Sequence, residues 1–569
     1  MLCDCALYRP LREAYCCDWG VMASRRIHVR TDLEEGMASS DTERLHQLGY
    51  AQELRRGMRT FSNFAVSFTI ISILSGCLTL FLFAMNTGGP AVMTIGWLVV
   101  GFFVTLVALG MAEVASSYPT AGGLYYWAAK LAPESGGNPA AWSWFVGWFN
   151  LVGQVAVTAG IDFGLAFFLN AFLNLTVGYP VDPPHTILVY AVVLVLHGLL
   201  NTFGIRLVAL LNDLSVWWHV VGVAAIVIVC VLLNQHTRTD LGTVFSKFVD
   251  NTGDTADNPW PGPLAFGIPL YVMLIGLLNA QYTLTGYDAS AHMSEETHDA
   301  HLGAPRGIVF SVVVSVIFGF ILLVAMNIGI TPDKVFQAAD GTAIDGYAHA
   351  LATPTGVPPA QIWIDAIGQS GGIFILFLVV GAQFFCGMSS VTANSRMIYA
   401  FSRDGAIPGS AFWHRINPRT RTPTNSIWLA AVGAFILGLP YLYSPVAYAA
   451  VTSIAVIGLY VAYIAPVFLR LRAGSRFQEG PWTLGRWSRP IGIVATIWVV
   501  FIAITFLLPQ AQPITISTFN YTPVVFLVVL GGAALWWFVS AKNWFKGPKV
   551  QGSSEELAAI ERELELAGG

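Results

Sequence analysis

Charged residues are scarce in this sequence. Asp, Glu, Lys and Arg make up 11% of the 569 residues, against roughly 25% in soluble globular proteins, which argues against a soluble chain. The 29 basic residues do not outnumber the 33 acidic ones, so no nucleic-acid partner is suggested. The sequence lacks a Walker-type phosphate loop and a His-Glu-x-x-His motif, which argues against ATP-driven transport and zinc-dependent hydrolysis. We therefore predict no enzymatic activity, no cofactor and no metal.

Cysteine is also scarce, and it is unevenly placed. Of the seven cysteines, four lie close to the start of the chain: Cys3, Cys5, Cys16 and Cys17. A metal or redox site is one interpretation, but the Cys-x-Cys and Cys-Cys spacings fit no zinc pattern well. We favour a disordered cytoplasmic extension over residues 1–47, or translated upstream sequence with a start at Met22 or Met37.

Apolar runs, by contrast, are abundant. Hydrophobic residues make up 55% of the chain and the mean hydropathy is +0.62. Runs of about 18 or more apolar residues recur, each long enough to cross a hydrocarbon core of about 30 Å, whereas the alternating segments of a membrane β-barrel are missing. We predict an all-α integral membrane protein with twelve transmembrane helices. The expected ranges are 64–86, 92–117, 142–172, 185–204, 213–234, 264–292, 306–330, 371–399, 425–443, 446–469, 490–509 and 522–541.

The basic residues set the expected orientation in the membrane. If the N-terminus is inside, all but three of the 29 basic residues fall in cytoplasmic segments, as the positive-inside rule requires. The exceptions are Arg238, Lys247 and Lys334. We expect a plasma-membrane protein with both termini cytoplasmic, a transporter domain over residues 48–543 and a cytoplasmic tail over residues 544–569.

Two of the expected spans are interrupted by small and polar residues. The first holds Ser-Gly-Cys at residues 75–77, and the sixth holds Thr-Leu-Thr-Gly at residues 283–286, followed by Asp288. A broken membrane helix is tolerated only where it faces protein or a water-filled cavity. In many transporters, broken helices in matching positions of two inverted repeats form the substrate site. The alternative is ordinary close packing of helices on small residues.

Several motifs resemble those of one superfamily. The segment "AEVASSYPTAGGLYYW" resembles the loop after the second helix in the amino acid–polyamine–organocation superfamily, and "SRMIYAFSRDGAIP" and "APRGI" are similar to its motifs around the eighth and seventh helices. The segments "NTGGP", "GGLYYWAAKLAP", "GWFNLVGQVAVTAGIDF" and "LNDLSVWWHVVG" resemble its amino acid/choline transporter family. The resemblance implies twelve helices, a five-plus-five inverted repeat of the sodium–leucine symporter type, and broken helices 1 and 6.

On this resemblance, the substrate is expected to bind at the two breaks. Backbone amides and the Ser75 hydroxyl would meet a carboxylate at the first break, since a helix N-terminus favours anions. Cys77 stands where the superfamily's break has its second glycine. Its side chain puts in doubt how closely the backbone can approach the substrate. Tyr282 would close over the substrate and could hold an ammonium group on its ring. The expected substrate-binding residues are Ser75, Gly76, Cys77, Tyr282, Thr283, Thr285 and Gly286.

Polar side chains inside other parts of the spans are candidates for ion coupling. Asp288 would titrate with proton flow or face a substrate ammonium, or else cap the second half of the sixth helix. His219 lies near a position where some proton-coupled relatives carry a lysine, and the alternative is a structural histidine. Ser389 and Ser390, together with Thr392, would supply oxygen ligands if the coupling ion were sodium.

The third span carries further polar residues. Asp162 lies toward its outer end, where it would draw cationic groups inward or, as we prefer, cap the helix. Asn150 and Gln154 are one turn apart and would line the pathway or form interhelical hydrogen bonds.

A gate is expected at the cytoplasmic side. Arg56 precedes the first span and Asp404 follows the eighth, so an ion pair between them would lock the inner face. The alternative is positive-inside charge alone. Glu113 ends the second span, and we interpret it as part of the gate's scaffold, because Pro119 and the glycines that follow reverse the chain there.

The predicted function is secondary active transport. The expected partners are a small amino acid or amine such as γ-aminobutyrate, a coupling proton or sodium ion, and membrane lipid, with protons preferred. Two alternatives stay open, a choline or quaternary-amine transporter and a membrane nutrient sensor that binds without transporting.

Overall fold

A computed structural model describes residues 41–203, 205–253, 268–444 and 446–568. Residues 1–40, which include the four cysteines near the start of the chain, lie outside the described part. The side chain of Arg206 also lies outside it. Within the range 1–47 that we expected to be disordered, residues 41–48 form a helix. It is held because Leu45 and Leu48 are buried in the main hydrophobic core together with Tyr50.

Eleven helices in the described part are long and apolar enough to cross a membrane, and a shorter apolar helix occupies the sixth expected position. We number these twelve α1 to α12. They are α1 Thr60–Thr79, α2 Gly89–Ser117, α3 Pro139–Val177, α4 Pro183–Phe203, α5 Leu207–Leu233, α6 Leu270–Thr283, α7 Ala300–Ile328, α8 Pro358–Arg403, α9 Thr424–Leu442, α10 Ala447–Arg476, α11 Gly485–Thr505 and α12 Thr522–Trp544. Shorter helices are Gly123–Glu134, Leu241–Ser246, Ala289–His292, Gly346–Leu351, Ser410–Trp413 and Ser554–Gly568, and the strands Phe336–Gln337 and Ala343–Ile344 pair antiparallel.

The contacts between helices repeat with an offset of five. α1 packs against α5 and α7, and α6 packs correspondingly against α10 and α2. α3 packs against α4 and α10, and α8 packs correspondingly against α9 and α5. Because five is an odd number of crossings, the second set runs in the opposite sense to the first. The first ten helices therefore form two inverted five-helix repeats, which confirms the predicted fold class.

Helices α1 and α6 are both interrupted. In α1 the break lies at Ser72, which adopts a left-handed conformation (φ 37°, ψ 82°) between helical segments Thr60–Ile71 and Ile73–Thr79. The predicted break at residues 75–77 is wrong, since these residues are helical. In α6 the helix ends at Thr283 and resumes at Ala289, with Gly286 at φ 87°, within the predicted segment. A side chain at Gly286 would meet Ile70 at 2.2 Å, so only glycine fits there.

The two ends of the described chain meet on one face of the bundle, which we call the terminal face. The Gln551 amide donates to the Gly49 carbonyl at 2.9 Å, and His46 pairs with Glu561 at 2.8 Å. The opposite face, which we call the loop face, carries the segments 235–253 and 331–357. Between the faces the core is continuous, and four tryptophans are fully buried in it: Trp97, Trp127, Trp144 and Trp363.

Candidate functional site

A cavity of about 610 Å³ opens on the loop face between α1, α3, α4, α8 and α10. Thr79 and Tyr448 lie among its lining residues. Beyond them, the Tyr448 hydroxyl donates to the Gly160 carbonyl at 3.2 Å. A side chain at Gly160 would lie 2.4 Å from the Tyr282 hydroxyl. Tyr448 and Tyr282 therefore lie in succession between the cavity and the middle of the bundle.

At the middle of the bundle, α1 and α6 cross in contact. A side chain at Gly76 would meet Thr283 at 2.6 Å, so Gly76 allows the two helices to touch. The Asn279 amide also donates to the Cys77 carbonyl at 3.2 Å. The crossing brings residues from both predicted halves of the substrate site together.

The backbone at this crossing differs from our expectation in one respect. The amides of Ser75 and Gly76 donate to the Ser72 carbonyl at 2.7 and 2.8 Å. They are therefore engaged by the helix that begins after Ser72, and the prediction that they are exposed for a carboxylate is wrong. In α6, the Thr285 hydroxyl donates to the Tyr282 carbonyl at 2.7 Å and the Gly286 amide donates to the Tyr463 hydroxyl at 3.1 Å.

Asp288, just after the α6 break, is buried at the centre of a hydrogen-bond network. Gln154 of α3 donates to its Oδ2 at 2.7 Å, and Tyr463 of α10 donates to its Oδ1 at 2.7 Å. His292, one turn further on, places Nε2 at 3.2 Å from the same Oδ2. Asp288 thus connects the second half of the broken helix to α3 and α10, and its partners include two residues, His292 and Tyr463, that the sequence analysis missed.

The contact between Asp288 and His292 requires one shared proton. The Nδ1 of His292 lies 2.9 Å from the Ala121 carbonyl, which only accepts hydrogen bonds, so Nδ1 carries a hydrogen. Nε2 then faces a carboxylate oxygen. If neither group held a further proton, two lone pairs would face each other. A hydrogen bond between the two groups therefore needs one proton on either Nε2 or Oδ2, and the Asn150 amide nitrogen lies 3.4 Å from the same Nε2.

His219 of α5 bonds directly to the break in α1. Its Nε2 lies 2.7 Å from the Ser72 hydroxyl and its Nδ1 2.7 Å from the Ser215 carbonyl. Both ring nitrogens are thus engaged by neutral groups, and the neutral tautomer with hydrogen on Nδ1 satisfies both contacts. This arrangement holds Ser72 in its left-handed conformation.

The α8 hydroxyls that we considered as sodium ligands point to three different helices. Ser389 donates to Asn212 of α5, Ser390 lies 2.9 Å from the hydroxyl of Thr158 in α3, and Thr392 donates to an α4 side chain, Asn201, at 2.5 Å. The structure does not bring them together around one point.

The terminal face is sealed by two buried ion pairs, which we call the terminal gate. Arg396 Nε lies 2.8 Å from Glu296 Oε1, and Arg403 lies 3.3 Å from Glu295 Oε1. The guanidinium of Arg403 also stacks on the Tyr50 ring at 3.8 Å. Both glutamates follow His292 within four residues, so the end of the α6 region is locked to the end of α8.

The expected ion pair between Arg56 and Asp404 does not form, which corrects that prediction. Arg56 instead approaches Asp41 at 3.8 Å and donates to the Thr297 carbonyl at 2.5 Å. Burial lowers the pKa of the Arg56 guanidinium, and the Asp41 charge opposes this shift. Asp404 accepts from the Tyr125 hydroxyl at 2.7 Å. Arg56 and Asp404 are thus each bonded to other residues that lie closer to them.

The pKa of the Asp404 carboxyl is raised above its usual range. Burial is the main cause, and the Arg403 guanidinium opposes it. The Lys549 amide donates to Asp404 at 3.0 Å, so the carboxyl also anchors the start of the tail.

Glu113 at the end of α2 lies in a different part of the same face. Arg470 approaches its carboxylate at 3.4 Å, and the Leu484 amide donates to it at 3.2 Å. Ser488 donates to its other oxygen at 2.5 Å. These contacts join α2 to α10 and α11, and the role of Glu113 in the gate's scaffold stays a prediction.

Asp162 does not cap α3, contrary to our preference, because it lies in the interior of that helix. It is fully buried, and His197 of α4, another residue that the sequence analysis missed, lies 3.0 Å from it. Asn150, Gln154 and Thr158 precede Asp162 at four-residue intervals, so all four lie on one face of α3. A regular spacing of polar residues in an apolar helix is a signal that sequence inspection could have used.

Two inverted repeats around a pair of broken helices, with the buried Asp288 beside the α6 break, define this molecule as a membrane transporter. Residues 59–530 match the family model described as amino acid permease. The chain belongs to the amino acid permease family, which confirms the superfamily resemblance. It is a multi-pass membrane protein of a family that transports amino acids.

Individual relatives cover nearly the whole chain. The chain is 41% identical over 517 residues to "Amino-acid permease BAT1" of Arabidopsis thaliana, covering 89% of this chain and 95% of the relative. It is 40% identical over 536 residues to "Amino-acid permease BAT1 homolog" of Oryza sativa subsp. japonica, covering 91% and 97%. It is 31% identical over 532 residues to "GABA-specific permease" of Saccharomyces cerevisiae, covering 92% and 88%.

Proposed function

We propose that this permease carries amino acids or related amines such as γ-aminobutyrate across the plasma membrane by alternating access, coupled to protons, with both termini in the cytoplasm. The buried Asp288–His292 contact, with Oδ2 and Nε2 3.2 Å apart, is the observation that carries the proposal. The relatives' printed names support an amino acid substrate, and one of them names γ-aminobutyrate.

The polar atoms around the α1/α6 crossing support a small zwitterionic substrate. Buried atoms without a hydrogen-bond partner include the Thr69 hydroxyl, Asn279 Oδ1, Gln281 Nε2 and the Tyr282 hydroxyl. They offer both donors and acceptors but no fixed charge, which suits a molecule carrying an ammonium and a carboxylate. Choline has no carboxylate, so its single hydroxyl oxygen is the one acceptor it offers to these donors, and each donor left unpaired would carry a desolvation cost of about 1–3 kcal/mol. This favours amino acids over quaternary amines.

The two faces of the bundle support alternating access. The loop face has an open cavity, whereas the terminal face is sealed by the terminal gate. With the loop face outside, a substrate would enter the cavity, pass Tyr448 and reach the crossing below Tyr282. Opening of the gate would then release it to the cytoplasm.

The short stretch from Asp288 to Glu296 supports coupling of that opening to a proton. It begins at the shared proton and ends at the gate glutamates. Loss of the proton would put two lone pairs in contact and favour movement of this stretch, with Glu295 and Glu296 carried along. The divergent directions of Ser389, Ser390 and Thr392 favour protons over sodium, and His219 would stabilise the α1 break rather than titrate.

Uptake into proteoliposomes tests the proposal. Labelled γ-aminobutyrate, alanine and choline would each be offered under an imposed proton gradient and, separately, a sodium gradient. We expect proton-driven accumulation of γ-aminobutyrate or alanine, and none in His292→Gln. His301→Gln, at a histidine about 38% exposed on the terminal face, is the matched control. Sodium-driven accumulation would contradict the proposed coupling to protons. Accumulation of choline would contradict the proposed substrate class, and binding without accumulation would favour a sensor.

A further inference from the structure

A second acid–histidine pair lies outside the proposed substrate site. Asp162 of α3 and His197 of α4 are both 0% exposed, and Oδ1 lies 3.0 Å from Nδ1. The two groups are close, but their orientation does not make a hydrogen bond, and neither carboxylate oxygen nor either ring nitrogen has another partner among the described residues. This contrasts with the rule that buried polar groups are hydrogen-bonded.

The space for this pair is made by a glycine on α8. A side chain at Gly387 would lie 1.8 Å from Asp162 Oδ1 and 2.6 Å from the His197 ring. Three helices therefore meet at the pair, and α8 also packs the apolar Phe384 ring against the His197 ring, with 4.6 Å between the ring centroids. On α8, Gln383 lies one turn before Gly387, and both polar atoms of its amide are likewise unpartnered.

The surroundings of the pair supply no compensating charge. The titratable groups that interact with Asp162 are Tyr190 of α4, Tyr282 of α6 and Cys386 of α8. On α10 the nearest such group is Tyr448, which interacts with Tyr282, and α9 contains no acidic or basic residue. An ionised carboxylate without donors is strongly disfavoured in such a place.

We propose that Asp162 and His197 together bind one proton inside the membrane, forming a protonation site separate from that of Asp288. A proton on either group would allow a hydrogen bond between Oδ1 and Nδ1, which lie 3.0 Å apart, after a small reorientation of the ring. Without the proton, a bare carboxylate is buried beside a neutral ring. A purely structural histidine would instead be expected to bond to a backbone carbonyl, as His219 does to that of Ser215. The inference goes beyond the proposed function, because proton occupancy can be measured without a substrate.

The polar face of α3 connects the two sites. Thr158, one turn from Asp162, bonds to Ser390 at 2.9 Å and receives a bond from Asn394 at 3.1 Å. Gln154, one turn further, donates to Asp288 at 2.7 Å. A row of polar side chains, each one turn from the next, therefore leads from one site toward the other, although no hydrogen bond joins Asp162 to Thr158 among the described residues. We expect occupancy of one site to alter the other.

Infrared titration of the reconstituted full-length protein tests the proposal. The absorption of protonated carboxyl groups would be followed against pH in the wild type and in Asp162→Asn, Asp288→Asn and His197→Gln. We expect Asp162→Asn and Asp288→Asn each to remove a different titrating band. His197→Gln should shift the pH at which the Asp162 band appears, corresponding to at least a roughly tenfold change in proton affinity, and leave the Asp288 band nearly in place.

Two glycine variants keep the test valid if Asp162→Asn fails to fold. Gly387→Ala would push a methyl group against the Asp162 carboxylate, and we expect it to move the Asp162 band. Gly532→Ala, where the added methyl meets nothing within 4 Å, and His301→Gln are controls that should move no band. The proposal would be overturned if the spectra of Asp162→Asn, His197→Gln and Gly387→Ala all showed the same titrating bands as the wild type.

Discussion

The two fully buried acid–histidine pairs among the described residues share a composition and differ in their surroundings. Asp288 receives hydrogen bonds from Gln154 and Tyr463, and His292 is fixed on the Ala121 carbonyl. Asp162 and His197 have only each other within reach. The first pair lies on a broken helix, the second between two continuous ones. Residue type alone therefore does not define a role; hydrogen-bond partners and the mobility of the backbone do.

The difference assigns the two pairs different responses to a proton. Asp288 has two donors besides His292, so we expect a change at this pair to fall on the contact with His292 and on the segment that leads to Glu296. Asp162 has no such donors among the described residues, so we expect a change there to fall on its contact with His197 alone.

Removing the charge of the hydrogen-bonded pair should have the largest effect. Asp288→Asn is expected to abolish proton-driven accumulation and to lower the initial uptake rate by up to about 100-fold, since loss of a charged hydrogen-bond partner costs up to about 3 kcal/mol. Uptake of γ-aminobutyrate or alanine into proteoliposomes measures this. Asp340→Asn, at an exposed loop residue bonded to Thr342, is the control. A wild-type rate in Asp288→Asn would remove the distinction between the two pairs.

Weakening the terminal gate should have the next largest effect. Glu296→Gln replaces a buried partner of Arg396 and is expected to lower stability by about 2 kcal/mol. Glu479→Gln alters a half-exposed pair with Arg470 and should cost less than about 1 kcal/mol. Thermal unfolding in detergent compares the two. Equal losses would mean that the gate is no stronger than a surface contact.

Interrupting the row between the pairs should have a smaller effect. Thr158→Val keeps the shape of the side chain but removes its hydrogen bonds to Ser390 and Asn394, at a cost of about 1 kcal/mol, or roughly a fivefold change in uptake rate. We also expect it to reduce the influence of Asp288→Asn on the infrared band of Asp162. If that influence is unchanged in the double variant, the row does not carry the coupling.

The smallest effect is expected at Asp404, a buried acid intermediate between the two pairs because it has donors but no histidine. Its raised pKa means that the folded state favours the protonated carboxyl, so its contribution to stability is present at low pH and is lost as pH rises through the folded-state value. The melting temperature of the wild type should therefore fall slightly more than that of Asp404→Asn as pH rises, by on the order of 1 °C. The opposite sign would show that Tyr125 and Lys549 outweigh burial.

The sequence was sufficient for the helices, the repeat and the α6 break. These depend on local signals: long apolar runs, and a glycine at residue 286 where a left-handed conformation is needed. The α1 break was misplaced because its left-handed residue is Ser72, whereas glycine at position 76 is helical. What fixes Ser72 is His219, 147 positions away in the chain, and single-sequence reasoning has no access to that contact.

An arginine–carboxylate gate was predicted from the sequence, but other residues form its ion pairs. Several basic residues border the terminal face, and charge patterning cannot choose between Arg56, Arg396 and Arg403 as partners of a given acid. The choice is made by the path of the chain after the α6 break, which delivers Glu295 and Glu296 to the end of α8. The Asp162–His197 pair was missed for the same reason, because His197 belongs to a different helix.

The meeting of the two chain ends has a practical consequence. Gly49 and Gln551 are joined by a backbone hydrogen bond, and Lys549 donates to Asp404 beside the gate. A pair of fluorophores placed near Gly49 and Gln551 would lie on the two chain ends, which must separate if the terminal face opens. The distance between the fluorophores would report the opening and closing of the terminal face during the transport cycle. Both labels would lie outside the substrate pathway.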